Sequence, residues 1–496
     1  MKSAYAFATI RRLPRSSVFL FAFVLFACSL KAQDDLTTQN ASSALNGAWI
    51  TGPASNPLSL LNGPAYRTFG KAVPYDFPDF HPMTSLDRRL PHWIAFQSEE
   101  RFRFEGYRDG SFQPDSNDEY MLNRLRVQLD IRPNTWVRFS TQVQDSRPMF
   151  QTPPLGPPNE NRWDLKLAYV EFGNPVRHWV SVRVGRQIIN YNHTIIASSE
   201  WRNQGRSYDA VVTNLQNGGF HLGIFAASAV VPLASGISHH QEGNNIYGMY
   251  GRFSSVIPKS DLEPFVLWHV QPKVTLDPAA SNAKGKQNLR AFGIRLKGQL
   301  ESDTDYSFEG VIERGSQGSE PIRAWALNGG IAHQQTSWRG QPRFFAQFDY
   351  ASGNSDSSRG VHRTFDSIYP TTHDRFGITD ILGWQNIHAV RAGATINLRR
   401  RWTVTAQDLD FRVAQQNDAL YNLSGTSLGH GNAASGKHVG NEADVYSWYE
   451  VNRHFNFGGG YGHLAAGDFL HHLTGTPGYS SFYVALNFKD NGRAGE

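Results

Sequence analysis

Apolar and polar residues alternate along most of this chain. Met121, Leu125, Val127, Leu129 and Ile131 fall on one parity, and Arg124, Arg126, Gln128 and Asp130 on the other. After the tight turn Arg132-Pro133-Asn134-Thr135 the scheme repeats, with Val137, Phe139, Thr141 and Val143 against Arg138, Ser140, Gln142 and Gln144. Ile94, Phe96, Phe102 and Phe104 oppose Gln97, Glu99, Arg101 and Arg103 in the segment before. A period of two belongs to a strand whose faces meet different surroundings. From Trp93 onward about 18 such segments follow one another, too many for one ordinary sandwich.

The connections alternate as well. Short ones lie at 132–135, 173–177, 216–219, 256–261, 399–401 and 451–454. Longer ones lie between them at 107–118, 148–163, 188–205, 230–245, 353–385 and 413–440. An up-and-down barrel in an outer membrane has this rhythm, with short periplasmic turns and longer extracellular loops. Closure has a physical reason: a sheet in lipid finds no water for its free edges. The last segment alternates Phe482, Val484, Leu486 and Phe488 with Ser481, Tyr483, Ala485 and Asn487. Trp93, Tyr107, Trp136, Trp179 and Trp402 near segment ends fit interfacial girdles. The fold expected is therefore an all-β transmembrane antiparallel up-and-down β-barrel of about 18 strands over residues 91–488.

The N-terminus reads differently. Lys2, Arg11, Arg12 and Arg15 precede the short apolar run Val18 to Cys28, and polar residues follow Ala32, as in a cleaved signal peptide over 1–32. Leu25 to Cys28 is a poor lipidation box because Phe26 is bulky. Residues 33–90 form an aperiodic extension and 489–496 a polar tail. The formal charge is +5, yet 1–32 holds five basic residues and no acid, and the other 43 basic residues match the 43 acidic ones. The pI of about 9.1 therefore gives no support for nucleic-acid binding. The only cysteine, Cys28, leaves with the signal, which fits an exported chain without disulfides.

Parity assigns the inward face. The expected pathway comprises Arg101, Arg103, Arg124, Arg126, Arg138, Arg183, Arg295, Lys297, Arg343 and Arg391, interleaved with Glu99, Glu105, Asp130, Glu309, Glu313 and Asp349. Arginine suits carboxylate-bearing polymers because its planar fork binds two oxygens and stays charged. The same ladder in a general porin would only shape the field.

A resemblance sharpens this. Leu165 to Phe172 (LKLAYVEF), Val182 to Gln187 (VRVGRQ), Trp201, Gly205-Arg206-Ser207-Tyr208-Asp209, and Thr364 to His373 resemble the bacterial alginate-export outer-membrane porins. The resemblance covers about Trp93 to Phe488. It implies an 18-stranded barrel with an electropositive constriction that passes an anionic polysaccharide outward. It also implies a periplasmic scaffold and an inner-membrane synthase as partners. Arg186, Arg206 and Asp209 join the expected pathway through these motifs, with Arg206 and Asp209 also suited to pin a loop to the wall. A diffusion porin working inward is the alternative function, and a secreted β-rich lyase or lectin a third.

Other signals carry less. No cofactor is expected. Loop acids Asp356, Asp366 and Asp374 suggest a Ca²⁺ site, and His239-His240 and His471-His472 fall in expected extracellular loops. Gly458-Gly459-Gly460-Tyr461-Gly462 lacks the following helix of a phosphate loop and reads as barrel wall. No nucleophile–base constellation stands out. The connection 353–385 is long enough to fold inward or to act as a lid.

Overall fold

A computed structural model describes residues 82–492, apart from 114, 152–158, 175–176, 192–193, 278–280, 302, 357–359, 372 and 400. The signal peptide, Cys28 and positions 33–81 of the extension lie outside the described residues.

A short helix α1 (Pro82–Asp87) leads into β1 (Ile94–Arg108), β2 (Asp118–Ile131), β3 (Val137–Met149), β4 (Asn161–Phe172), β5 (Val180–Gln187) and β6 (Tyr208–Asn217). Then come β7 (Phe220–Val231), β8 (His239–Ile257), β9 (Ser260–Asp277), β10 (Ser281–Glu301), β11 (Thr304–Gln317), β12 (Glu320–Gln334) and β13 (Arg343–Ala351). The chain continues through β14 (Ile387–Arg399), β15 (Trp402–Val413), a small hairpin of β16 (Ala419–Tyr421) and β17 (Ser427–His430), β18 (His438–Glu450), β19 (Phe455–Ala466), helix α2 (Asp468–Thr474) and β20 (Gly478–Asp490). Apart from the hairpin, the strands form one 18-stranded antiparallel sheet. Its seam closes where β20 pairs with β1, Arg101 opposite Asn487 and Phe102 opposite Leu486.

The parity expected from sequence holds around the wall. Phe102, Phe139, Val184, Val211, Ile294, Phe308 and Val445 are 41–51 % exposed, whereas Arg101, Arg103, Arg124, Arg126 and Arg183 are 2–6 % exposed. Large apolar side chains outside and charges inside invert the order of a soluble protein and suit a sheet surrounded by lipid. Trp93, Trp136, Trp179, Trp338 and Trp402 are all exposed and sit beside the short connections, as one interfacial girdle. Tyr107 lies at the other end, where its ring stacks on Tyr479.

Turn chemistry fixes the short connections. Between β6 and β7, Gly218 takes the left-handed φ of 56° that a tight hairpin needs. Two boundaries differ from the sequence reading. The expected loop 230–245 is shortened because β8 starts at His239, and β8 to β10 run for 19, 18 and 21 residues. The tail begins later, because β20 extends to Asp490, past Phe488. Buried Asp490 accepts hydrogen bonds from Met83 N at 2.7 Å and Thr84 Oγ1 at 2.9 Å, so α1 clasps the end of the last strand. Asp87 in turn accepts from Phe96 N on β1 at 2.8 Å.

The main apolar core lies inside the barrel, near the rim of the long connections. Ile195, Ile196, Phe365, Phe376, Leu382 and Trp384 from two connections pack on Tyr208, Phe225, Phe265, Leu409 and Phe411 of the wall. Both connections, 188–207 and 352–386, therefore fold inward, which for 353–385 was one of two expected arrangements.

Candidate pore site

The site is built where 188–207 meets the wall of β1, β2 and β4. The pleat sets Arg101, Arg103, Arg124 and Arg126 inward at alternate positions, with Arg101 directly opposite Arg124 in the ladder. Four like charges this close need acceptors, and the connection supplies them as backbone carbonyls. Arg101 donates to Glu200 O at 3.0 Å and Arg202 O at 3.1 Å. Arg103 donates to Trp201 O at 2.6 Å, and Arg124 to Glu200 O at 3.0 Å. Arg126 reaches Gln204 O at 3.2 Å, and Lys166 reaches the same oxygen at 2.8 Å. The guanidinium of Arg103 also lies 4.0 Å from the Trp201 ring centre.

Carboxylates balance part of this charge. Glu200 pairs with Arg126 at 2.6 Å, while Glu99 meets Arg124 and Glu105 meets Arg103. Burial alone would raise the Glu200 carboxyl, but Arg126, Lys166 and Arg124 draw it down to about 2. Burial and neighbouring Arg206 lower Arg202 to about 10.

The carboxylates of β11 and β18 have the reverse polarity. Segment 352–386 offers donors, and inward carboxylates receive them. Glu442 accepts from Thr379 N at 3.0 Å and Thr379 Oγ1 at 2.7 Å. Asp444 accepts from Ile378 N at 3.2 Å, and Glu313 from Asp366 N at 3.0 Å. Asp418, on the 414–437 connection, accepts from Asn354 N and Thr364 Oγ1, both at 2.6 Å. Asp374 pairs with Arg391 at 3.0 Å, and Arg375 pairs with Asp349.

The two connections are braced together. Ala197 N donates to Tyr369 O at 2.8 Å, and Tyr369 N to Ile195 O at 3.0 Å. Arg206 donates to Ala197 O at 2.7 Å and Tyr369 O at 3.0 Å, with its guanidinium 4.8 Å from the Tyr369 ring centre. Trp201 stacks on His373 at 3.7 Å, nearly parallel.

Of the residues expected along the pathway, the structure gathers Arg101, Arg103, Arg124 and Arg126. Arg138 and Arg183 form a second group: Arg138 meets Asp130 at 2.7 Å and Arg183 meets Glu171 at 2.7 Å, with both guanidiniums near the Tyr169 ring. Arg295 and Lys297 turn inward elsewhere and share Glu263, at 3.4 and 2.7 Å. Arg343 pairs with Asp305 at 2.7 Å. Arg391 also binds Gln407 at 2.6 Å. Arg206 serves the brace. Arg186 and Asp209 stand apart from the cluster. They pair directly in the ladder, bond at 2.8 and 3.1 Å, and share the register face of outward Val184 and Val211. His240 joins them, 2.9 Å from Asp209.

Sequence reasoning missed Lys166, Glu200 and the donor set of 352–386. A bulge explains Lys166: Gln142 pairs with Leu167 but Val143 with Leu165, so the inward parity of β4 changes at that residue. Asp366 accepts from Ile368 N and Gln287, and Asp374 is held by Arg391. Among the described residues, no group of three or more His, Cys, Asp or Glu side chains is arranged to hold a metal ion.

The sequence profile for alginate export matches residues 92–483. The chain belongs to the alginate export family. Solved structures add the fold. This alginate export chain is similar to three Pseudomonas aeruginosa proteins. The first is OpdO, with TM-score 0.54, 9% identity, and coverage of 81% of this chain and 98% of that one. The second is the outer membrane protein OpdK, with TM-score 0.53, 9% identity, and coverage of 79% and 98%. The third is OccD3 (OpdP), with TM-score 0.52, 10% identity, and coverage of 80% and 91%. At such identity the likeness speaks for the barrel alone. No curated protein matches the chain. The family and the barrel together make this alginate export protein an outer-membrane channel.

Proposed function

We propose that the channel passes an anionic exopolysaccharide of the alginate type outward, with the β1–β2–β4 wall as its path. One observation carries this reading. Arg101, Arg103, Arg124, Arg126 and Lys166 point inward and bind carbonyl oxygens of 188–207. Those are places that a uronate carboxylate, a stronger acceptor, would take over. The sugar acids of a passing polymer exchange one oxygen partner for another, so no guanidinium is left bare at any step. Several moderate sites also let a polymer leave, as one tight site would not.

A second reading draws on the ion-paired remainder of the lumen. Arg138, Arg183, Arg295 and Arg391 each face a carboxylate, a neutralised ladder that suits inward diffusion of small solutes.

Single-channel recording in a planar bilayer decides between them. Export of an acidic polymer requires an anion-selective pore that a mannuronic acid hexamer blocks at far lower concentration than the uncharged mannose hexamer. The double variant Arg101→Glu/Arg124→Glu should lose that preference. Uronate block that survives these substitutions would remove the basis of the reading. Loss of growth on one oligosaccharide in a deletion strain, with normal polymer secretion, would favour the diffusion porin. A scaffold in the periplasm, implied by the family resemblance, is part of the proposal and would be sought by cross-linking in cells.

A further inference from the structure

Beside the basic cluster lies a second apolar group, separate from the main core: Ile378, Tyr446, Trp448, Tyr483 and Ala485, with Trp201 packed against it. It spans three adjacent strands. Trp448 of β18 stands opposite Gly458 of β19, which stands opposite Ala485 of β20. One step further up, Tyr446, Gly460 and Tyr483 are aligned in the same way. Arg103 of β1 is opposite Ala485, so the row of rings runs directly into the arginines.

The glycines explain how the rings lie. A Cβ on Gly458 would come within 2.5 Å of the Trp448 indole, and one on Gly460 within 2.8 Å of the Tyr483 ring. The rings therefore lie down across β19 rather than stand up from the wall. The glycine run set aside as barrel wall is the floor that makes this possible. Side chains of the two inward connections cover the platform from the lumen. Ile378 of 352–386 rests over Gly460, 3.0 Å from a Cβ placed there. Trp201 of 188–207 meets Tyr483 edge-on, with centroids 4.9 Å apart.

We propose that Tyr446, Trp448 and Tyr483 form a stacking platform for the pyranose rings of the transported polymer, adjoining the guanidinium of Arg103. The inference rests on the export reading and names the half of the substrate that reading leaves out. A sugar acid has two recognisable parts, a carboxylate edge and an apolar face of C–H groups. The arginines fit the edge. Flat aromatic surface fits the face, and does so without regard to charge. Ile378 and Trp201 occupy the platform at rest, and a sugar ring replaces them as the polymer enters.

The test uses the full-length channel in a planar bilayer, with the mannuronic acid hexamer and the uncharged mannose hexamer as blockers. Conductance in potassium chloride reports that each variant has inserted. Trp448→Leu and Tyr483→Leu keep apolar bulk but remove the flat ring. Each should shorten the residence of both hexamers about ten-fold, the effect of about 1.4 kcal/mol. Trp448→Phe should restore most of the residence, which a packing role for indole volume would not do. Arg103→Gln should shorten only the acidic hexamer's stay. Residence of both hexamers unchanged in the leucine variants overturns the platform, even if the acidic hexamer still needs Arg103. A wild-type channel blocked by neither hexamer also overturns it. If both hexamers block equally and the leucine variants weaken both, the platform stands and export of an acidic polymer falls.

Discussion

The two connections that fold into this barrel are anchored mainly through opposite hydrogen-bonding roles, acceptors in one and donors in the other. Segment 188–207 gives its carbonyls to a basic wall. Segment 352–386 gives N–H and hydroxyl groups to carboxylates of β11 and β18. Buried backbone groups must find partners, and a charged lumen can supply them without regular structure in the loop. The difference has a functional consequence. An anionic polymer competes for the arginines that hold 188–207, but offers nothing to the carboxylates that hold 352–386. The polymer itself releases 188–207, whereas 352–386 keeps its carboxylate anchors and yields only the side chain of Ile378.

The largest effect is expected from Arg126→Glu. It sets a third carboxylate against Glu200 and Glu99, which Arg126 now meets at 2.6 and 3.8 Å. Breaking a buried pair of this kind costs about 3–5 kcal/mol. Segment 188–207 should detach, seen as higher open-channel conductance and new protease cleavage within it. Cleavage confined to 352–386 would break the comparison.

Next in size is Glu442→Leu, which strands Thr379 N–H and its hydroxyl. Leaving buried donors unmade costs about 1–3 kcal/mol. Glu442→Gln keeps an acceptor oxygen and should cost less. Release of 352–386 in the leucine variant alone, read by limited proteolysis, would show that this segment depends on acceptors rather than on charge.

The barrel was legible because its pattern is local. Parity at Arg124, Val127 and Asp130 is set by the pleat and by the contrast between lipid and lumen, and both leave a period of two in the sequence. The inward connections were not, for a physical reason. Glu200, Trp201, Arg202 and Gln204 all bind the wall through backbone oxygen, which every residue possesses, so no side-chain pattern marks that contact. The role of Arg186 was obscured for another reason. The motif of Gly185 to Gln187 carries no parity label, and Gly185 takes a φ of 120° where a Cβ would meet Ala168 O at 2.3 Å. The register sets Arg186 beside Asp209 on the outward face.

Acid should separate the two anchors with opposite sign. Glu200 is held down at about 2 from an ordinary 4.5. Its contribution is complete above about pH 4.5 and is lost as pH falls through about 2. Asp418 is raised, burial outweighing the donors of Thr364, Asn354, Ala419 and Tyr421. Its contribution is greatest when it is protonated and declines as pH rises through that raised value. Proteolysis by an acid-stable protease, followed from pH 6 to pH 2, should therefore open 188–207 first. Opening of 352–386 first would reverse the assignment.

The smallest effect concerns the brace. Arg206 joins Ala197 O to Tyr369 O and covers the Tyr369 ring. Lysine keeps the charge but not the planar fork or its stacking, so Arg206→Lys should cost about 1 kcal/mol. That is too little to free either segment from its wall. It should instead loosen their coupling: in the Arg206→Lys background, Arg126→Glu should leave protease protection of 352–386 closer to wild type than Arg126→Glu does alone. If protection of 352–386 falls equally in both backgrounds, the coupling between the connections runs through the paired backbone of Ile195 to Ala197 and Tyr369, not through Arg206.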